Sequence, residues 1–221
     1  MVTIFLGPPG VGKGTQAKQL ADARGWAHVS TGDLLRQARR DGTALGRKAQ
    51  GYMDAGELVP DALILDLVRE HLEALGSDAS VIFDGFPRTV PQAEGLASLL
   101  GELDRGVDAV LLFEAADDTL VKRIAGRRSC PGCDRVYNVH FTPPAREGRC
   151  DACESTLTHR ADDEPGTVQR RLQVYRDQTE PLIAHYARLG PEPVRIDAEQ
   201  PVEAVQAATA GALVGAGEEA A

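Results

Sequence analysis

The sequence has 221 residues, of which 43% are hydrophobic and 26% are charged, as is ordinary for a globular protein. This length suits one large α/β domain or one core with inserted subdomains. The formal net charge of −9 argues against general binding to nucleic acids or to membrane surfaces. No apolar run is long enough to span a bilayer and no secretory signal is recognisable, so we expect a cytoplasmic protein.

The chain begins with a strand, a glycine-rich loop and a helix. The apolar run from Val2 to Leu6 predicts a β-strand, and a helical pattern follows the loop Gly7-x4-Gly12-Lys13. Glycines let backbone N–H groups close around phosphate oxygens, and the start of a helix adds its positive end. The loop is atypical in one respect, because Gly14 follows the lysine where Ser or Thr is usual, and Thr15 comes next. We predict a nucleotide-phosphate site in which Lys13 reaches the β- and γ-phosphates.

Four further short apolar runs predict strands, and helical patterns separate them. They cover residues 26–29, 81–84, 109–113 and 193–196. Because strands and helices alternate, the sequence predicts an α/β fold with a five-stranded parallel sheet and helices on both faces. Ser30-Thr31-Gly32-Asp33 has the form that caps the start of a helix.

Two segments do not follow this alternation. Residues 30–59 have helical patterns but few large apolar side chains, so we expect a small outlying subdomain. Residues 127–163 contain all four cysteines, many charged residues and few apolar residues that could form a core. This composition predicts an insertion that a bound metal ion stabilises. The remaining ranges, 1–29, 60–126 and 164–221, form the predicted core domain.

The cysteines have the spacing of a structural metal site, Cys130-x2-Cys133-x16-Cys150-x2-Cys153. Four thiolates close a tetrahedron around Zn²⁺ and leave no open position for water, so the pattern favours a structural zinc over a catalytic one. Two disulfides or four free thiols are the alternatives, and a reducing cytosol disfavours disulfides. Iron also fits four thiolates.

Three motifs together resemble adenylate kinases: GPPGVGKGT at residues 7–15, STGD at 30–33 and DGFPR at 84–88. The resemblance extends over nearly the whole chain, and the four-cysteine insertion is similar to the lid of the long-form, zinc-bearing members. It implies the P-loop nucleoside monophosphate kinase fold, with a subdomain that binds the acceptor nucleotide. It also implies reversible, Mg²⁺-dependent transfer of the terminal phosphoryl group of ATP to AMP, which gives two ADP.

The resemblance also implies roles for individual residues. The donor site is expected to comprise Gly10, Val11, Gly12, Lys13, Gly14, Thr15, Arg123, Val136, Tyr137 and Gln200. The AMP site is expected to comprise Thr31, Arg36, Glu57, Leu58, Val59, Gly85, Phe86, Pro87, Arg88, Gln92, Arg160 and Arg171. The catalytic set is expected to be Lys13, Arg88, Arg127, Arg160, Arg171 and Asp84, with Asp84 orienting water on Mg²⁺. Such a set suits the chemistry, because an anionic acceptor phosphate needs no general base and catalysis consists of positioning and charge stabilisation.

Two features leave more than one interpretation open. Asp162 and Asp163 resemble the family's paired lid aspartates, although a solvated charge run would have the same composition. Ala198 stands where many relatives have glycine, and a positive φ there would strain an alanine.

The expected partners are the small nucleotides ATP, AMP and ADP, with no nucleic acid and no membrane, and the family resemblance suggests a monomer. Within the same class, the alternative is a kinase for UMP or CMP, or one that uses GTP as the donor. A zinc-ribbon module that binds nucleic acid or protein is the alternative of another class, and the net charge of −9 opposes it.

Overall fold

The computed structural model describes residues 1–76 and 78–218. Its strands are β1 (Val2–Leu6), β2 (Ala27–Ser30), β3 (Val81–Asp84), β4 (Ala109–Glu114), β5 (Arg127–Ser129), β6 (Val136–Asn138) and β7 (Val194–Asp197). Five of them form one parallel sheet in the order β2-β3-β1-β4-β7. The predicted α/β class and the five-stranded parallel sheet are therefore confirmed.

Helices connect the strands. They are α1 (Lys13–Arg24), α2 (Thr31–Arg40), α3 (Ala44–Ala55), α4 (Asp61–Leu75), α5 (Val90–Gly101), α6 (Asp117–Ala125), α7 (Pro165–Val174), α8 (Pro181–Leu189) and α9 (Val202–Glu218). A 3₁₀ turn at Ala161–Asp163 precedes α7, and a π-helical turn at Tyr175–Thr179 joins α7 to α8. In the described part of the chain, no helix combines the length and the apolar character that crossing a membrane requires.

Side-chain caps fix where several helices begin. The Ser30 hydroxyl accepts a hydrogen bond from the Asp33 N–H at the start of α2, as the sequence predicts. Thr43 caps α3 through the Gly46 N–H, and Thr89 caps α5 through the Gln92 N–H. These caps satisfy N–H groups that have no partner within the helix.

The three central strands of the sheet, β1, β3 and β4, are buried on both faces. Ile4, Phe83 and Leu112 pack in one hydrophobic cluster, whereas Phe5 and Leu111 pack in another. Because successive side chains of a strand point to opposite faces, a strand covered on both sides needs a continuous apolar run. This requirement explains why the strands were readable from short apolar runs.

The parallel arrangement brings functional loops to one edge of the sheet. Strands β1 and β3 are neighbours, with Phe5 opposite Asp84, so the glycine-rich loop and the DGFPR segment begin side by side. Ser30 lies opposite Asp84 on the other side of β3. Crevices at the carboxyl ends of parallel strands are the usual place for ligands in such sheets.

The two outlying segments have simple structures. Residues 30–59 fold mainly as α2 and α3, which pack against each other. In residues 127–163, β5 and β6 form a short antiparallel hairpin that the sequence analysis did not predict. The hairpin carries the first cysteine pair, Cys130 and Cys133, between its strands.

Candidate active site

A cleft of about 1600 Å³ opens at the carboxyl edge of the sheet, and α2, α3 and the segment 127–163 complete its walls. Every residue that the sequence analysis predicted for the donor, acceptor or catalytic sets lines this cleft, with the exception of Phe86. The Phe86 side chain is fully buried and packs against Phe83, with ring centroids 5.6 Å apart. Phe86 is therefore a core residue within the DGFPR segment and does not line the cleft.

The glycine-rich loop has positive backbone φ angles, which residues with a side chain rarely adopt. Gly7 has a φ of 141°, and a Cβ there would lie 2.4 Å from the Phe113 carbonyl oxygen. Gly12 has a φ of 111° and is the N-cap of α1, where no side chain caps the helix. The first N–H groups of α1 thus remain available for an anion, which is the property expected of a phosphate site.

Lys13 lies across this loop and donates hydrogen bonds to the carbonyl oxygens of Gly7 (2.7 Å) and Pro8 (2.9 Å). The pKa of Lys13 is lowered to about 7, chiefly by burial; the Asp84 charge opposes this shift, and nearby arginines such as Arg88 and Arg171 add to it. The ammonium group therefore occupies a site where its positive charge is poorly compensated. A bound polyphosphate would supply the missing negative charge.

The unusual Gly14 has a steric explanation. A Cβ at this position would lie 3.0 Å from Oδ2 of Asp84. The Asp84 carboxylate, which also contacts the His28 ring nitrogen at 3.3 Å, therefore approaches the first turn of α1 closely. Its oxygen atoms, at the edge of the phosphate loop, suit a hard cation such as Mg²⁺.

Cationic side chains from distant parts of the chain converge on the cleft. They are Lys13, Arg36, Arg88, Arg127, Arg160 and Arg171. Burial and neighbouring arginines lower the pKa of Arg88 to about 10 and that of Arg160 to about 9. The pKa of Arg171 is lowered for the same reasons. The lowered pKa values mean that the protein holds these positive charges together against their mutual repulsion.

One buried carboxylate anchors part of this cluster. Asp163 is fully buried, and its carboxylate accepts hydrogen bonds from Nε (2.7 Å) and Nη2 of Arg127. It also accepts a hydrogen bond from Nη1 of Arg171 at 2.9 Å. Asp162 is 15% exposed and pairs with Arg171 at 2.9 Å. Although burial lowers the pKa of Arg127, the hydrogen bonds and charge of Asp163 raise it above its ordinary value. The two aspartates are therefore paired residues of the site, and the solvated charge run is excluded.

The side of the cleft that the sequence analysis predicted for the acceptor is built around the DGFPR segment. The Gly85 carbonyl oxygen accepts hydrogen bonds from Arg88 Nε (2.7 Å) and from the Thr31 hydroxyl (3.1 Å). The Thr179 hydroxyl, from the turn after α7, donates to the Arg88 carbonyl at 2.8 Å. Gly85 and Thr179 thus hold Arg88 directly, and Thr31 binds the same Gly85 carbonyl oxygen. Residues 57–59 also line the cleft, and Glu57 pairs with Arg170 at 3.0 Å.

Arg123, which was predicted for the donor site, connects the glycine-rich loop to the C-terminal part of the chain. Its guanidinium donates to the carbonyl oxygens of Val11 (3.1 Å) and Ala198 (2.7 Å) and lies over the Phe141 ring at 5.5 Å. Ala198 is not among the three described non-glycine residues with positive φ, so the alanine is unstrained. Gln200 is exposed and donates to Asp197.

The sequence analysis missed Phe141. This residue is half exposed, lines the cleft and meets Arg123. Its only sequence signal was an apolar aromatic side chain in a polar segment, next to Pro143 and Pro144.

The four cysteine sulfur atoms lie within 4.8 Å of one another. The shortest Sγ–Sγ distances are 3.3 Å between Cys130 and Cys153 and 3.5 Å between Cys133 and Cys150. Sulfur atoms on a tetrahedral Zn²⁺ with bonds of about 2.3 Å would be ~3.8 Å apart. The donor set and its spacing therefore fit a four-thiolate metal site.

The two cysteine knuckles are built alike. The Asp134 N–H donates to the Cys130 carbonyl (3.0 Å), and the Glu154 N–H donates to the Cys150 carbonyl (2.9 Å). The residues that close the two turns also share a positive φ, 54° for Asp134 and 59° for Glu154. Such tight turns direct backbone N–H groups and thiols toward a common centre.

Tyr137 supports the cysteine cluster from β6. Its side chain is buried, its hydroxyl accepts the Asp151 N–H at 2.8 Å, and the hydroxyl oxygen lies 3.5 Å from Cys150 Sγ. Because the oxygen accepts from Asp151, its proton is free to point at the sulfur. This hydrogen bond is the largest of several that together lower the pKa of Cys150 to about 6. The tyrosine ring thus belongs to the metal site, while the residue also lines the cleft.

Comparison with known proteins agrees with the site geometry. The family model described as adenylate kinase matches residues 5–190. An adenylate kinase of Thermodesulfovibrio yellowstonii is 48% identical over 190 residues, which cover 86% of this chain and 88% of that protein. One from Syntrophotalea carbinolica is 50% identical over 186 residues, with coverages of 84% and 86%. One from Agathobacter rectalis is 43% identical over 213 residues, with coverages of 96% and 99%.

Proposed function

The chain belongs to the adenylate kinase family, a family of phosphotransferases, and on this premise we propose that it transfers the terminal phosphoryl group of Mg²⁺-bound ATP reversibly to AMP. The observation that carries the proposal is the convergence of Lys13 and five arginines on one cleft that contains a phosphate loop. Such a cluster attracts anions, and two nucleotides bring several phosphates.

The donor nucleotide is proposed to bind along the phosphate loop. The N–H groups at the start of α1 and the Lys13 ammonium hold its phosphates, and Arg123 covers its base. Gly10, Val11, Gly12, Gly14, Thr15, Val136, Tyr137 and Gln200 complete this site. Asp84 would orient the water around Mg²⁺, which would supply positive charge to neutralise the phosphates.

AMP is proposed to bind on the opposite side of the cleft. Arg36 and Arg88 hold its phosphate, Gln92 meets the adenine edge, and Thr31 and the backbone of residues 57–59 line the base. The planar guanidinium groups suit the phosphate oxygens, which they bind in pairs. With both nucleotides bound, the acceptor oxygen lies in line with the phosphoryl group that moves.

Charge stabilisation is assigned to Lys13, Arg88, Arg127, Arg160 and Arg171. Negative charge spreads over the oxygen atoms of the phosphoryl group as it is transferred, and cationic groups positioned beforehand stabilise it without reorganisation. The ion pairs with Asp162 and Asp163 hold Arg127 and Arg171 in position before the substrates arrive.

Three structural units are proposed to have separate roles in binding and catalysis. Residues 30–59 carry the acceptor, residues 127–163 form a lid over the donor, and residues 1–29, 60–126 and 164–221 form the core. Closure of both outer units excludes water, which would otherwise accept the phosphoryl group and waste ATP. Zinc, held by the four cysteines, stiffens a lid whose own hydrophobic cluster is small. We propose that the enzyme acts as a monomer, because one chain supplies all of these groups.

A substrate panel tests the proposal. Purified protein with Mg²⁺ is offered ATP or GTP as the donor and AMP, GMP, UMP or CMP as the acceptor, and nucleoside diphosphate formation is measured. We expect ATP and AMP to give the highest kcat/KM, and Lys13→Met to lose nearly all turnover. Lys122→Met, which removes an exposed lysine, serves as the matched control. Preference for a pyrimidine acceptor, or full turnover by Lys13→Met, would refute the proposal.

A further inference from the structure

The side-chain amide of Gln92 is held at both ends. Gln92 lines the cleft but is only 2% exposed. Its Nε2 donates to Oδ1 of Asp61 at 2.7 Å, and its Oε1 accepts the Arg88 N–H at 2.8 Å. The Thr89 hydroxyl donates to the same Asp61 oxygen at 3.1 Å. Asp61, the first residue of α4, does not itself line the cleft.

These two partners permit one orientation of the amide. A carboxylate only accepts hydrogen bonds and a backbone N–H only donates them. If the Gln92 amide turned over, its oxygen would face the Asp61 carboxylate and its NH₂ group would face the Arg88 N–H. Both contacts would then be repulsive. In the observed orientation, one N–H and one oxygen lone pair of Gln92 remain for a ligand.

We propose that Asp61 is a positioning residue that makes the acceptor site selective for 6-aminopurines over 6-oxopurines. Adenine presents an N–H donor at position 6 and an acceptor at N1, whereas hypoxanthine presents an acceptor at position 6 and a donor at N1. A freely rotating amide pairs with either base by turning over. An amide held by both Asp61 and the Arg88 N–H pairs with only one, and loss of Asp61 leaves a single partner to resist the turn. The inference rests on the proposed function, in which Gln92 meets the base of AMP.

The competing explanation is that Asp61 only stabilises α4. A carboxylate in the first turn interacts favourably with the helix dipole, whatever the acceptor. Loss of that interaction would affect both acceptors equally, so the ratio of kcat/KM for AMP to kcat/KM for IMP separates the two explanations. IMP is the suitable probe because its base differs from that of AMP only in the donor and acceptor groups at position 6 and N1. It carries no additional amino group that could change binding for another reason.

The test compares wild type, Asp61→Ala, Asp61→Asn and the control Asp66→Ala. Asp66 is an exposed carboxylate on the same helix. IMP is measured as a substrate, and as a competitor of AMP where its turnover is too slow. We expect Asp61→Ala to lower the AMP-to-IMP ratio about 10-fold or more, because one unmatched hydrogen bond is worth roughly that factor. The KM for AMP should rise, the KM for Mg²⁺-ATP should stay constant, and Asp66→Ala should match wild type.

Asp61→Asn keeps the shape of the side chain and tests the proposal even if the alanine variant does not fold. Its amide offers Gln92 either an oxygen or an NH₂ group, so the ratio should fall between those of wild type and Asp61→Ala. A ratio unchanged from wild type in the folded Asp61 variants would overturn the inference and leave the proposed function intact. A wild-type enzyme that does not phosphorylate AMP would instead overturn the proposed function.

Discussion

Replacement of the Asp163 carboxylate by an amide of nearly the same shape should greatly reduce the stability of the protein. The Asp163→Asn substitution keeps the size of the side chain but removes the charge that faces Arg127 and Arg171. These guanidinium groups are each only 16% exposed, so water replaces the lost partner poorly. The new NH₂ group would also point a donor at groups that are themselves donors.

The size of the effect follows from the burial. Breaking a buried ion pair by removing one partner costs about 3 to 5 kcal/mol of unfolding free energy. A chain of 221 residues has an unfolding entropy of about 0.46 kcal/mol/K, taken from ~2.1 cal/mol/K per residue. Asp163→Asn should therefore lower Tm by about 6 to 11 °C. Turnover should also fall, because both arginines lose their common anchor.

Differential scanning calorimetry measures the stability effect, and a coupled assay measures turnover. Asp54→Asn is the matched control, because it removes the same charge from an ion pair with Arg39 in which both side chains are more than one-third exposed. An exposed pair contributes about 0 to 1 kcal/mol, so the control should lower Tm by no more than about 2 °C. If Asp163→Asn melted within that range as well, Asp163 would not be the anchor of the cluster.

Three further predictions concern the cationic groups and the metal. Arg88→Lys should reduce kcat about 100-fold or more in steady-state assays, because a point charge does not replace a planar guanidinium fork; near-wild-type turnover would contradict its assigned role. Removal of the metal by a chelator should lower Tm clearly but should have a smaller effect on activity measured in the cold. If turnover were lost while hydrogen exchange showed that the order of the lid was unchanged, the metal would not be purely structural. Binding of Mg²⁺-ATP at pH 7 should take up about half a proton and weaken as the pH rises above 7, because the phosphates raise the Lys13 pKa from its unliganded value of about 7. Calorimetry in two buffers of different ionisation enthalpy measures this uptake, which Lys13→Arg should abolish.

Much of the fold was predictable because its signals are local. The strands β1, β3 and β4 are buried on both faces, so each is a continuous apolar run that needs no information from elsewhere in the chain. The caps at Ser30, Thr43 and Thr89 likewise involve residues three positions apart. The hairpin β5–β6 was missed because its strands are three residues long and only partly apolar.

The functional residues were only partly predictable, because exposure and orientation depend on distant partners. Phe86 lies within the DGFPR motif, yet its side chain points into the core. Phe141 lies outside every motif, yet it lines the cleft.

The α/β alternation, the phosphate loop and the spacing of the four cysteines are readable from the amino-acid sequence, because each depends on residues close together in the chain. The burial of Asp163 between two arginines, and the contact of Asp61 with an amide 31 positions away, become visible only in the folded chain. A polar group is stable in the interior only when its partners are present, and those partners come from other elements.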